Sequence, residues 1–323
     1  MRNRIQNILE SDWKVSLVAA IFPSLVSALL VGFSINNFME YWLGIFILAP
    51  FFIGLISSLI KGYKTPVKFN ICLKITFLGL IFFCLSLIIL AIEGVVCIVM
   101  ASPIGIISAF LGCYVGYILQ KKNIKNVLSI LVIAHTTILP SFTFVESKLD
   151  KTNKVYPVTT KVIVSASKQQ VWDRLLEFKK IDSPLSFIFR NGISYPIDSK
   201  IIGKGIGAIR YCNFSTGSFV EPIDIWDEPN LLHFSVKKQP IPMKELSPYD
   251  IHPKHLHGYF VSVKGQFKLT TTETGETELE GTTWYYNNIY PEFYWKIWTD
   301  LIIHTIHERI LTHIKTCSEE TNL

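Results

Sequence analysis

Apolar positions along this chain fall into two regimes that meet near residue 145. Before that point, five runs of about 20 residues or more are almost wholly apolar, at 15–34, 41–60, 71–91, 95–119 and 126–145. At ~1.5 Å rise per residue, a helix of this length matches the ~30 Å hydrocarbon core of a bilayer. The runs therefore predict about five transmembrane helices in a domain over residues 1–145. Pro23, Pro50, Pro103 and Pro140 inside the runs agree with this, because neighbouring helices in a bundle re-satisfy the carbonyls that a proline frees. Trp13, Tyr41, Trp42 and Tyr63 stand near run ends, where interfacial aromatics collect.

The second regime follows a short polar tether, residues 146–157. Residues 158–165 alternate well enough for a strand, and Ser167 can cap a helix whose apolar positions Val171, Leu175, Leu176 and Phe178 keep helical spacing. Residues 181–189 suit a second short helix. Six strands follow, at 200–204, 207–214, 218–226, 231–237, 259–271 and 276–286. Turn signals separate them at Ser215-Thr216-Gly217, Asp227-Glu228-Pro229-Asn230 and Thr274-Gly275. A long helix from Pro291 to about Thr316 closes the chain, with an apolar face of Trp295, Trp298, Ile302, Ile306 and Ile310 and a polar stripe of Lys296, Asp300, His304 and Glu308.

This order of elements, together with VSASKQQVWDRL at 164–175, GKGIGAIR at 203–210 and DIWDEPNLLHFSV at 224–236, resembles the SRPBCC or START-like helix-grip superfamily, in particular its polyketide cyclase/dehydratase-like branch. The resemblance covers about residues 158–318 and none of the membrane half. It implies an α+β domain in which a curved antiparallel sheet wraps the long terminal helix and leaves an apolar cavity between them. It carries over no catalytic set.

Charge changes the picture chiefly in the first half. The formal net charge of +6 comes from ten basic and four acidic residues before Glu146, since 21 of each lie from Glu146 onward. Nine of those basic residues flank alternate connections: Arg2, Arg4 and Lys14 before the first run, Lys61, Lys64 and Lys68 between the second and third, Lys121, Lys122 and Lys125 between the fourth and fifth. Residues 35–40 and 92–94 hold none. By the positive-inside rule the amino terminus is cytoplasmic, and an odd number of crossings makes the carboxy-terminal domain extracytoplasmic. Basic residues so placed set topology and give no reason to expect nucleic acid. Of six cysteines, only Cys212 and Cys317 lie in the polar half; their spacing makes no metal motif, and two buried thiols or one bridge are both compatible with it.

Candidate chemistry is sparse. His135, with Thr136 and Thr137, either lines a polar path through the membrane or bonds a neighbouring helix. The long connection 238–257 carries four prolines, which suits a lid or a stiff rim. Its His252, His255 and His257 lack the spacing of a usual zinc site, and no metal or other cofactor is expected. One strand phase groups Arg210, Cys212, Glu221, His233, Trp284 and Tyr286. A two-residue turn at Ser215–Thr216 pairs Arg210 with Glu221 across the hairpin, whereas a bulge at Gly217 loses that pair. This phase faces either a cavity or solvent. The cavity reading makes Arg210, Glu221, His233, Trp284, Tyr286 and Trp298 ligand-binding residues. The expected function is a membrane-anchored binder of a hydrophobic small molecule or lipid. The alternative is a cyclase, dehydratase or hydrolase using His233 or Glu221 with Arg210. A purely structural partner-binding domain would have a filled core.

Overall fold

Each apolar run forms one long helix in the computed structural model, which describes residues 2–38, 43–122, 127–149, 153–251 and 256–320. The chain divides into two compact units. One comprises residues 1–150 with 245–253, the other 151–244 with 254–323.

The helix unit contains α1 (Arg2–Phe38), α2 (Ala49–Lys61, entered through a π-helical turn at Gly44–Leu48), α3 (Phe69–Ile89), α4 (Val95–Lys121) and α5 (Val127–Glu146). All five are long and apolar enough to cross a membrane, with α2 taken together with its π-helical turn. Their expected boundaries agree to within a few residues except for α1, which runs further at its amino end; Tyr41 and Trp42 lie outside the described residues. Helices α2 and α4 approach through small residues: a Cβ on Gly112 would collide with the carbonyl oxygen of Phe51, and one on Gly54 with that of Ala109. His135 is buried, 3.3 Å from Ser27 Oγ on α1 and stacked on Phe52 of α2 at 4.7 Å between ring centroids. Thr136 and Thr137 are exposed and bond back to the Ile133 carbonyl. Of the two readings of His135, helix-to-helix packing is the one realised. Residues 245–253 also belong to this unit: the Glu245 carboxylate accepts hydrogen bonds from the amides of Val96 (3.1 Å) and Cys97 (3.3 Å), and the Val95 amide donates to the Leu246 carbonyl. These bonds serve amide groups that the first turn of α4 leaves open.

The sheet unit runs β1 (Tyr156–Val164), α6 (Lys168–Leu176), α7 (Phe187–Arg190), β2 (Pro196–Ile202), β3 (Ile209–Phe214), β4 (Gly217–Asp227), β5 (Leu231–Ser235), β6 (Phe260–Thr271), β7 (Thr277–Asn287) and α8 (Glu292–Glu319). Ser167 and Gln170 form a reciprocal capping box that starts α6. The expected second helix shrinks to the single turn of α7. The strands make one curled antiparallel sheet in the order β1-β7-β6-β5-β4-β3-β2. The apolar core between sheet, α6 and α8 includes Trp172, Leu175, Phe178, Ile223, Leu232, Phe234, Phe267, Leu279, Leu311 and Ile314. Arg309 ties α8 to the start of β2 and the segment before it, donating to the carbonyls of Ile181, Ser183 and Pro196 at 3.0–3.2 Å.

The buried face of α8 differs from the one expected. Trp295, Thr299, Ile303, His307, Ile310, Leu311 and Ile314 are buried, while Trp298, Ile302 and Ile306 are half-buried flanks. The expected stripe of large apolar side chains was displaced because Thr299 and His307 are buried through hydrogen bonds, to Asn287 and to Thr160 and Thr283 respectively.

Candidate functional site

The hairpin of β3 and β4 turns in two residues, Ser215 and Thr216, so Phe214 pairs with Gly217 and Arg210 with Glu221. Cys212, Phe214 and Ile223 belong to the core, which places Arg210 and Glu221, of the same phase, on the inner face of the sheet. Arg210 is 1% exposed and Glu221 5%. The guanidinium Nη1 donates to Glu221 Oε2. Three rings close around it, with Phe178, Phe234 and Phe267 centroids 5.9, 5.4 and 5.4 Å from Arg210 Cζ, within cation–π range. Each ring has its own positioning device. Ser199 of β2 exchanges hydrogen bonds with the backbone of Phe178. Gly265 of β6 lets the Phe234 ring lie where any Cβ would stand only 2.6 Å away. Phe267 sits opposite Leu232 in the register of β5 and β6.

Nε and Nη2 of Arg210 have no oxygen or nitrogen partner among the described residues, and beside the guanidinium lies only the Cys212 thiol, a weak acceptor. A buried donor without a partner costs about 1–3 kcal/mol, more on a charged group, so this is an unusual thing to leave inside a core. These two atoms form one edge of the guanidinium fork, the edge that matches the two oxygens of a carboxylate. Burial pushes the Glu221 carboxyl above its ordinary range, and Arg210 pulls part of the way back. The guanidinium itself stays protonated. Burial also pushes the Cys212 thiol up to about 12, so it is an inert core thiol. Cys317 is half-buried, its sulfur 3.7 Å from His313 Nε2.

The remaining expected site residues are not gathered with this pair. Leu232 and Phe234 point into the core, so His233 between them projects from the opposite face. There its Nδ1 lies 3.3 Å from Asp224 Oδ2 and its ring 6.3 Å from that of Trp284, over which Lys264 Nζ sits at 4.8 Å. Thr283, Tyr285 and Asn287 face α8, bonding His307, Asp300 and Thr299, which turns Trp284 and Tyr286 outward. Trp298 is half-buried on α8. The single expected phase thus divides: Arg210, Cys212 and Glu221 inward, His233, Trp284 and Tyr286 outward. The reason lies in the turns, since a one-residue change of register flips every side chain to the other face. Beside Leu231-Leu232 and Trp284-Tyr285-Tyr286, consecutive apolar residues left both phases open. The catalytic grouping of His233 with Arg210 and Glu221 is therefore not assembled.

Two loop bonds link neighbouring connections of the sheet unit. Thr216 Oγ1 donates to the Ile241 carbonyl at 2.7 Å, and the Asn288 amide to that of Tyr259 at 2.8 Å. Of the three loop histidines, His257 is exposed, and His252 and His255 lie outside the described residues. The inner-face rings were missed by sequence reading because they come from three separate segments. One signal was available: GQFKL at 265–269 pairs a strand glycine with an aromatic two residues on, a mark of close ring packing.

No protein-family profile and no curated protein matches the chain. Among solved structures, a norcoclaurine synthase point mutant from Thalictrum flavum, in complex with a transition-state analogue, aligns at 14% identity and a TM-score of 0.35, covering 54% of this chain and 100% of that one. The Aha1 dimer of Colwellia psychrerythraea aligns at 14% identity and a TM-score of 0.30, covering 51% and 96%. The helix-grip arrangement rests on the strand order and the packing of α8 described above.

Proposed function

We propose that this chain is a membrane-anchored binder of a hydrophobic molecule that carries a carboxylate or similar acceptor at one end, held in the sheet unit on the extracytoplasmic side. The observation that carries this reading is the Nε–Nη2 edge of Arg210, charged, buried and without an oxygen or nitrogen partner among the described residues, within a cage of three phenylalanine rings. An apolar body suits the rings and an anionic end suits the fork. Glu221 fits the same scheme, since a carboxyl already raised by burial can take up a proton as a second anion arrives beside Arg210. Two observations support the side of the membrane: the nine basic residues at alternate connections, and residues 245–246, which bond the start of α4 just after the connection 92–94, which holds no Lys or Arg. The separation of His233 from Arg210 and Glu221 favours binding over general acid–base catalysis.

The test uses the full chain in lipid nanodiscs and a long-chain fatty acid carrying a photoactivatable diazirine. Crosslinks are expected on the β3–β6 core, at segments containing Phe178, Phe234 or Phe267. In Arg210→Met, labelling at low probe concentration should fall about 10- to 100-fold, the worth of a charge-assisted hydrogen bond or two. The Arg210→Met/Glu221→Leu double variant, which leaves no lone buried charge, keeps the fold as a control. Crosslinks confined to α1–α5, or undiminished in both variants, would sink the reading.

A further inference from the structure

One face of α8 changes character along its length. The residues that the sheet leaves exposed recur at 293, 297, 301, 304, 308, 312 and 316, a single solvent-facing stripe. Its first three members are Phe293, Ile297 and Leu301, exposed by 72%, 65% and 48%; the rest are His304, Glu308, Thr312 and Thr316. Half-buried Tyr294 and Trp298 border the apolar part. Large apolar side chains at such exposure, rimmed by Tyr and Trp, are the composition of a helix face that sits at a lipid–water boundary.

The apolar end of the stripe is also the end to which the tether is fastened. Tyr156, which opens β1, donates from its hydroxyl to Glu292 at 2.7 Å, and Lys296 Nζ lies over its ring. Asn153 of the tether accepts from Asn288 in the turn before α8. Seven peptide steps separate Asn153 from Glu146, the last residue of α5, and at ~3.6 Å each they reach no more than about 25 Å. Lys148, Lys151 and Lys154 outnumber Glu146 and Asp150 by one over residues 146–154, a small positive excess of the sign that anionic headgroups attract.

We infer that the first three turns of α8 form a lipid-docking surface, with Phe293, Ile297 and Leu301 inserted at the headgroup boundary of the membrane that anchors the chain. This rests on the membrane placement proposed above, and the experiment separates the two. An environment-sensitive fluorescent amino acid replaces, one at a time, Ile297, Thr312 and the exposed Ile81 of α3 in the full chain, reconstituted in phosphatidylcholine nanodiscs with or without chain-brominated lipid. A face buried ~5–10 Å into the interface brings the label at position 297 within reach of the bromines, so its emission should fall by about half. The label at 312, on the polar part of the same stripe, should be unaffected, and the label at 81 strongly quenched. Quenching at 81 but not at 297 overturns the docking surface while leaving the membrane reading in place; quenching at neither overturns both. A blue-shifted label at 297 that bromine does not quench, and that turns water-like on dilution of the protein, would assign the face to a second copy and refute lipid docking.

Discussion

Burial inside the sheet unit favours the uncharged ring of His307, and its two hydrogen bonds are compatible with that form. Thr160 Oγ1 lies 3.1 Å from Nδ1 and Thr283 Oγ1 2.8 Å from Nε2, so two hydroxyls join the imidazole to β1 and β7. A hydroxyl can donate to one ring nitrogen and accept from the other. Burial, with a smaller contribution from neighbouring His304, lowers the His307 pKa from its ordinary 6.5 to about 4. The folded state therefore binds this proton less readily than the unfolded chain does. Its contribution to stability is complete above pH 6.5 and lost as pH falls towards 4, by about 3 kcal/mol in all. Denaturant titrations of the sheet unit at pH 7 and pH 5 should show this loss setting in, and His307→Gln, which keeps one donor and one acceptor, should flatten the difference. An equal pH response in that variant would assign the sensitivity to other groups.

Among the elements, α2 and α4 illustrate packing that depends on what is missing from a side chain. Gly112 and Gly116 stand one turn apart on α4, and a Cβ on either would strike the backbone of α2, at Phe51 or at Leu55. Small residues at this spacing let helix backbones approach where lipid supplies no hydrophobic drive between them. Gly112→Ala should destabilise the helix unit by about 1–3 kcal/mol through overpacking. Gly105→Ala is the matched control, because its Cβ meets only Pro50 Cγ at 3.6 Å, an ordinary contact, and a helical Gly→Ala change is neutral or favourable by up to ~1 kcal/mol. Thermal unfolding of the two variants in the same detergent checks the pair; equal midpoints would mean that α2 and α4 can part without cost.

At the scale of the molecule, the function proposed above places the two ends of the chain on opposite sides of a membrane, on the strength of the charge around five apolar helices. A paired reporter after Leu323, one active only outside the cytoplasm and one only inside, should give signal from the outside reporter alone. Replacing Lys121, Lys122 and Lys125 with Gln removes a third of the topogenic charge and should raise the fraction of inverted molecules. Signal from the inside reporter in the unaltered chain would mean an even number of crossings and would turn the search for a ligand to cytoplasmic metabolites.

The five helices, the strand count and the closing helix were legible in the sequence because each depends on local composition: an apolar run long enough to span a bilayer, a turn signal, a capping serine such as Ser167. The Arg210–Glu221 pair was legible too, as one of two outcomes, since a two-residue turn at Ser215–Thr216 carries the pairing across the hairpin. Which face the other candidates occupy was decided only by the assembled sheet. The four-residue turn Asp227–Asn230 sets the register of β5, runs of adjacent apolar residues at 231–232 and 284–286 hide the alternation, and irregular pairing at 223–225 and 262–264 adds further shifts. The cage around Arg210 and the close approach of α2 to α4 likewise bring together segments far apart in the chain, and proximity of that kind leaves no periodic trace along a sequence.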